Sequence, residues 1–265
     1  MSDILETIAE HTRIRVAKAK EAVAEEVMRD RAYEKLVSEN GTVPSFTQAL
    51  AKPGMSFICE CKKASPSKGI IAEDFPYLKI AKEYEEAGAS AISVLSEPEW
   101  FKGSLSYVEE IASAVSVPVL RKDFTVSPYM IYEAYLAGAS AVLLICSILD
   151  DNSLSKYRML AEDLGMAALV EAHDEDEVKM AIDCGASIIG VNNRDLRTFE
   201  VNAANCLRLR DKIPDGILFV AESGINSAED IRVLTENKVD AVLIGEAMMR
   251  SADKKAFLDN LRSGA

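Results

Sequence analysis

The chain has 265 residues, of which 49% are apolar and 28% charged, with 13 glycines and 8 prolines. That composition belongs to a core-forming globular protein and excludes a disordered or collagen-like chain. A formal net charge of −13 repels phosphate backbones and anionic membrane surfaces, which argues against nucleic-acid and membrane partners; any anionic ligand needs a local cluster of cations and backbone N–H groups.

The start, MSDILETIAEHTRIR, lacks the basic-then-apolar order of a signal peptide, and no run approaches the ~20 apolar residues of a membrane span. A cytoplasmic protein is expected. Ser2 or Asp3 is placed to cap an amphipathic helix with Ile4, Leu5 and Ile8 on one stripe. The turn-rich stretch SENGTVPSF then leads onward, and its Asn40-Gly41-Thr42 matches a glycosylation sequon by chance. Residues 1–54 read as an N-terminal helical extension of one domain.

Beyond them, EAGASAISVL, LAGASAVLLI and DCGASIIGV each end a helical pattern at a glycine (Gly88, Gly138, Gly185) and run into an apolar strand. Their spacings of 50 and 47 residues are twice the ~24 residues of one βα unit, so a unit without that glycine signal is expected between each pair. Eight β-branched-rich runs result, at residues 55–62, 90–96, 117–124, 141–147, 166–173, 187–193, 217–224 and 241–248. Strands alternating with amphipathic helices pair in parallel, and eight of them predict an α/β fold, a closed (β/α)8 TIM barrel over 55–265. An open doubly wound sheet would more often show a Gly-rich phosphate loop after its first strand, and no G-x-G-x-x-G occurs.

In such a barrel the active site lies at the C-terminal ends of the strands, where side chains two apart share a direction. The first run ends in Glu60 and Lys62, the third in Lys122, the fifth in Glu171, the sixth in Asn192 and Arg194, the seventh in Glu222. Three carboxylates and three cations in one ring predict a catalytic pocket with shifted pKa values. Lys122 becomes a useful acid if desolvated or set beside another cation, which Lys62 could supply. Gly224 and Gly245, with Ser223 and Lys62 as further anchors, stand where the last two loops form a phosphate site. Phe124 is the better candidate for lining the pocket; Trp100 and Phe101 are either an apolar wall or rim packing. His173 reads as a helix-entry residue ahead of the acidic run DEDEV. The five scattered cysteines (Cys59, Cys61, Cys146, Cys184, Cys206) form no C-x-x-C pair and read as small buried hydrophobes, and with His11 and His173 as the two histidines no metal site is written.

In order along the chain, ECKKASPSKG (60–69), SEPEWFKGS, LRKDF (120–124), LVEAH, GVNNRDL (190–196), AESGI and LIGEAMM give a sequence that resembles the indole-3-glycerol-phosphate synthase family over essentially its whole length. The resemblance implies ring closure, decarboxylation and dehydration of 1-(2-carboxyphenylamino)-1-deoxyribulose 5-phosphate in tryptophan biosynthesis, with no metal and no cofactor. It implies Lys122 as general acid, Glu171 as general base, and Lys62 with Glu60 holding anionic groups and assisting dehydration. Ser65, on a mobile loop, and Asn192, Arg194 and Glu222 are implied as substrate binders. Lys63 departs from the family's usual Arg, and Glu246 stands where Ser is sometimes found, offering its backbone N–H to the phosphate. The partner implied is the phosphosugar substrate alone, and a monomer is expected. The chain ends soon after its eighth strand, which predicts a monofunctional protein. A phosphoribosylanthranilate isomerase would have no reason for ECKKASPSKG or the extension. A non-catalytic sugar-phosphate binder would gain from losing Glu60 and Glu171.

Overall fold

The computed structural model describes residues 4–38, 43–195 and 199–265. The proposed caps Ser2 and Asp3, the sequon Asn40-Gly41-Thr42 and Leu196 of GVNNRDL lie outside those residues. Where one helix was expected ahead of the barrel there are three: α1 (Ile4–Ala22), α2 (Glu25–Ser38) and α3 (Phe46–Leu50). Ser45 caps α3 by accepting the Gln48 N–H at 3.2 Å, a short-helix signal that the turn-rich reading of this stretch passed over.

The barrel opens with β1 (Ser56–Cys61), followed by a short antiparallel hairpin of β2 (Ala64–Ser65) and β3 (Gly69–Ile70) where a plain loop was expected. The chain continues through α4 (Tyr77–Glu86), β4 (Ala91–Leu95), α5 (Leu105–Ala114), β5 (Val119–Lys122), α6 (Pro128–Leu136), β6 (Ala141–Ile145) and α7 (Asp151–Asp163). Then come β7 (Ala167–Ala172), α8 (Glu175–Asp183), β8 (Ile188–Asn192), α9 (Ala204–Arg210), β9 (Leu218–Glu222), α10 (Ala228–Glu236), β10 (Ala241–Ile244), α11 (Glu246–Arg250) and α12 (Lys254–Arg262). Parallel pairing runs β1-β10-β9-β8-β7-β6-β5-β4 and closes on β1, giving the expected eight-stranded barrel. The last strand is shorter than the 241–248 run: Glu246 to Met248 belong to α11, because the chain turns at Gly245.

The repeated glycines work through the backbone. Gly88, Gly138 and Gly185 sit at φ +88°, +80° and +80°, where L side chains are strained. The following N–H then reaches back over the helix end, Ala89 to Tyr84 at 2.9 Å, Ala139 to Ala134 at 2.9 Å and Ala186 to Ala181 at 3.1 Å, and the chain enters the next strand. The unit before β7, expected to lack the signal, has it in Gly165 at φ +77°, with Met166 N–H on Ala161 at 2.9 Å. The tripeptide differs and the geometry is the same.

Alternation divides each strand between two cores. Outward residues such as Phe57, Cys59, Ile92, Val142 and Val170 pack against the helices, while Ile58, Leu120, Leu143, Leu169, Val220 and Leu243 fill the barrel. Phe46 and Leu50 of α3 join the inner cluster next to Ser56 at the start of β1, whose hydroxyl bonds to Ala49 and Leu50 carbonyls at 3.3 Å, so α3 plugs the N-terminal mouth. Leu5 and Ile8 of α1 join the same cluster at the opposite mouth. Continuing the inward parity past the apolar layers brings Glu60, Lys122, Glu171, Asn192 and Glu222 into the barrel at that mouth. All five cysteines are free and buried, as read from the sequence, and burial pushes the Cys59 thiol up to about 12.

Candidate active site

The C-terminal mouth opens into a cavity of about 720 Å³ lined by every candidate catalytic, substrate-binding and phosphate-binding residue named from the sequence except Trp100. The register explains why. Ile145 pairs with Glu171, Glu171 with Gly190, Asn192 with Glu222 and Glu222 with Leu243, so the carboxylates stand at neighbouring levels around the ring. Gly190 is part of this arrangement, since a Cβ there would lie 2.3 Å from Glu222 Oε1. Gly245 does the same for the first strand: a Cβ would lie 2.3 Å from Glu60 Oε1 and 2.7 Å from Lys62 Nζ.

Lys122 Nζ stands 3.3 Å from Glu171 Oε2 and 3.3 Å from Glu222 Oε2. Lys62 Nζ donates to Glu60 Oε1 at 2.6 Å, and Asn192 Nδ2 donates to Glu171 Oε1 at 3.4 Å. The expectation that Lys62 is the cation beside Lys122 is therefore corrected: Lys62 is held by Glu60, and Lys122 faces carboxylates. The electrostatic consequence reverses too. Burial pulls the Lys122 ammonium down, but Glu222, Glu171 and Glu60 outweigh it and hold the group above an ordinary lysine. Burial acts against ionisation of Glu171, yet Lys122 and His173 keep it well below the usual carboxylate range. At Glu222 burial wins, helped by the charges of Glu171 and Glu60 and opposed by Lys122, and the carboxyl is pushed up to about 8. Its Oε1 is buried without a hydrogen-bond partner among the described residues. At neutral pH the ring thus holds an ionised Glu171, a charged Lys122 and a Glu222 that carries its proton.

Of the aromatic alternatives, Phe101 lines the cavity beside Phe124, with ring centroids 6.1 Å apart, whereas Trp100 packs edge-on against His11 at 4.9 Å. Glu97 places Phe101 by accepting its N–H at 3.0 Å. Ser65 on β2 is buried, with its hydroxyl 3.5 Å from that of Ser67. Arg194 N–H donates to Asn192 Oδ1 at 3.0 Å and its guanidinium to the Phe199 carbonyl at 3.0 Å. Ser223 and Gly224 turn the chain after β9 with φ of +67° and +80°. Glu246 pairs with Arg250 at 3.0 Å on the cavity wall.

Sequence reasoning missed the link between extension and site. Arg15 of α1 binds both carboxylate oxygens of Asp123, at 2.8 and 2.9 Å, one residue beyond Lys122. Ser96 donates to the same carboxylate at 2.7 Å, Arg121 at 3.2 Å and the Phe124 N–H at 2.9 Å. Ile4, Leu5 and Ile8, seen only as an amphipathic stripe, also line the cavity.

A sequence model of the family described as indole-3-glycerol phosphate synthase matches residues 5–261. The chain belongs to the indole-3-glycerol phosphate synthase family. Proteins of that name from Ruminiclostridium cellulolyticum and Endomicrobium trichonymphae are 53% and 50% identical to it, over 99% and 98% of this chain and 100% and 99% of theirs. As an indole-3-glycerol phosphate synthase it is a carboxy-lyase of tryptophan biosynthesis. Among solved structures, 3-hexulose-6-phosphate synthase from Salmonella typhimurium superposes with a TM-score of 0.65 at 14% identity, covering 79% of this chain and 98% of that one, which speaks to the barrel fold alone. No helix of the described residues is long and apolar enough to cross a membrane.

Proposed function

We propose that this synthase converts 1-(2-carboxyphenylamino)-1-deoxyribulose 5-phosphate to indole-3-glycerol phosphate, carbon dioxide and water with Lys122 as general acid and Glu171 as general base. The observation that carries the assignment is the Lys122 ammonium, 3.3 Å from both Glu171 and Glu222 inside a cavity walled by Phe101 and Phe124. As the aromatic carbon bearing the carboxylate attacks the ketone, charge develops on the ketone oxygen. A buried ammonium stabilises that charge and gives up a proton to it, because an alkoxide is more basic than an amine. The carboxylate leaves as carbon dioxide, its bond electrons restoring the aromatic ring. Dehydration then needs a proton for the departing hydroxyl, which Lys62 held by Glu60 supplies, and a base for the ring-methylene proton, which is Glu171. Two protons are given and one is taken, so each turnover draws one from solvent. The close approach of Glu171 to Lys122 lets the abstracted proton return directly.

Asn192, Arg194 and Glu222 bind the substrate's hydroxyls and charged groups, with Ser65 reaching in from β2. Ser223, Gly224, Gly245 and the Glu246 N–H hold the phosphate. The inner core shared by α1, α3 and the strands supports extension and barrel as one domain.

The test is formation of the fluorescent indole product in the presence of a chelator, for wild type and Glu171→Gln. Wild type turns over, and Glu171→Gln loses about 10²- to 10⁴-fold in kcat. Substrate binding by wild type without product would make the protein a non-catalytic binder. Undiminished turnover by Glu171→Gln would remove the base assignment.

A further inference from the structure

Behind Glu171, outside the cavity lining, stands His173, the residue between β7 and the cap of α8. Its backbone N–H donates to Glu177 Oε2 at 2.8 Å, its Nδ1 meets the same oxygen at 2.9 Å, and its carbonyl accepts from Asn205 Nδ2 of α9 at 3.1 Å. The residue is therefore held by α8 and α9 at its backbone N–H, its carbonyl and one ring nitrogen. Its other nitrogen, Nε2, is aimed at the site. It lies 3.3 Å from Glu171 Oε1 but off the line of a hydrogen bond, and among the described residues no hydrogen-bond partner meets it. A buried ring nitrogen without a partner is costly, and a small swing of the carboxylate satisfies it.

We propose that His173 is a positioning residue for Glu171, holding its carboxylate ionised and correctly turned for proton abstraction through a Glu177–His173–Glu171 chain. This rests on the reading of Glu171 as the base. A carboxylate fixing the far nitrogen of an imidazole sets the ring's orientation and favours its charged form, and the charged ring donates to the second carboxylate. The surrounding groups agree with this. Glu177 on α8 and Glu171 on β7 raise the ring against the burial that lowers it, to about 10. Asp174 caps α8 next door, and the Cys146 thiol in the turn after β6 donates to the Glu177 carbonyl at 3.6 Å. On its far side Glu171 faces Lys122 of β5 and Asn192 of β8. Lys122 alone does not fix the carboxylate's rotation, because Lys122 is shared with Glu222.

With two histidines in the chain, ring-nitrogen NMR of histidine-labelled full-length protein resolves each. His173 is expected to titrate well above an unperturbed histidine at ~6.5, and Glu171→Gln and Glu177→Gln each to lower its titration midpoint. A His173 midpoint near that of a free histidine, unmoved by Glu171→Gln, would overturn the contact. For function, His173→Ala frees the Glu171 carboxylate to turn, so kcat falls about tenfold with KM little changed, and it raises the pKa of Glu171, so the acid limb of kcat moves to higher pH. His173→Gln, which keeps a donor toward Glu171, recovers most of kcat. A His173→Ala enzyme with the wild-type pH profile would refute positioning. If instead Glu171→Gln turns over normally while the NMR shift appears, the contact stands and the base assignment is what fails.

Discussion

Glu222 carries a proton at neutral pH in this structure, and that has a measurable cost. Folding moves its carboxyl from about 4.5 to about 8, because burial and two like charges outweigh Lys122. A carboxyl raised on folding contributes stability that is fully present below its unfolded value and lost as pH rises toward its folded value. Each pH step costs about 1.4 kcal/mol, so between pH 6 and pH 9 wild type loses about 3 kcal/mol through this group, all of it between pH 6 and 8. Glu222→Gln imitates the protonated side chain and cannot ionise. The substitution should therefore stabilise the protein by about 2 kcal/mol relative to wild type at pH 6, where the unfolded carboxyl is already ionised, and by about 5 kcal/mol at pH 9, a double difference of about 3 kcal/mol. Urea unfolding of both proteins at the two pH values measures the double difference, which cancels the titration of other groups. A Gln variant whose offset from wild type is the same at both pH values would refute the reasoning.

Asp123→Asn should cost about 3–5 kcal/mol in urea unfolding, since it strips the buried partner from Arg121 and unhooks Arg15 of the extension from the barrel; a loss below about 1 kcal/mol would show that the network is not stabilising. Gly190→Ala drives a Cβ to within 2.3 Å of Glu222 Oε1 and should cost about 1–3 kcal/mol by overpacking. Adding Glu222→Ala clears that space, so the double variant should recover most of the loss attributable to Gly190→Ala in a double-mutant cycle, and strictly additive effects would contradict a steric origin.

The pocket was legible in the sequence because a strand's period of two is rigid. Once Ile58 or Leu169 faces inward, Glu60 and Glu171 must do so as well, and the barrel's parallel order carries all the strand ends to one mouth. The pairing of charges across that mouth was not legible. Glu60 and Lys62 are two residues apart at the end of β1, but Lys122 meets Glu171 and Glu222 across 49 residues and more, at distances set by register around a closed ring. The same holds for Arg15 and Asp123, which are 108 residues apart. Gly245 was read as a phosphate-loop glycine from its position alone. Its φ of −109° is open to any residue, and the space occupied by Glu60 and Lys62 is what excludes a side chain there. The helix-entry reading of His173 holds, since Asp174 caps α8 right after it, but its contact with Glu171 depends on a clamp by Glu177 that spacing does not reveal.

The central claim is that the Lys122 ammonium delivers the proton that makes ring closure possible. The direct test is kcat for indole product formation by Lys122→Ala beside wild type, with ligand binding followed in parallel. The account predicts that kcat falls by about 10²- to 10⁴-fold while the ligand still binds. Turnover by Lys122→Ala within about tenfold of wild type would contradict it, and the acid would have to be sought in Lys62 or in protonated Glu222.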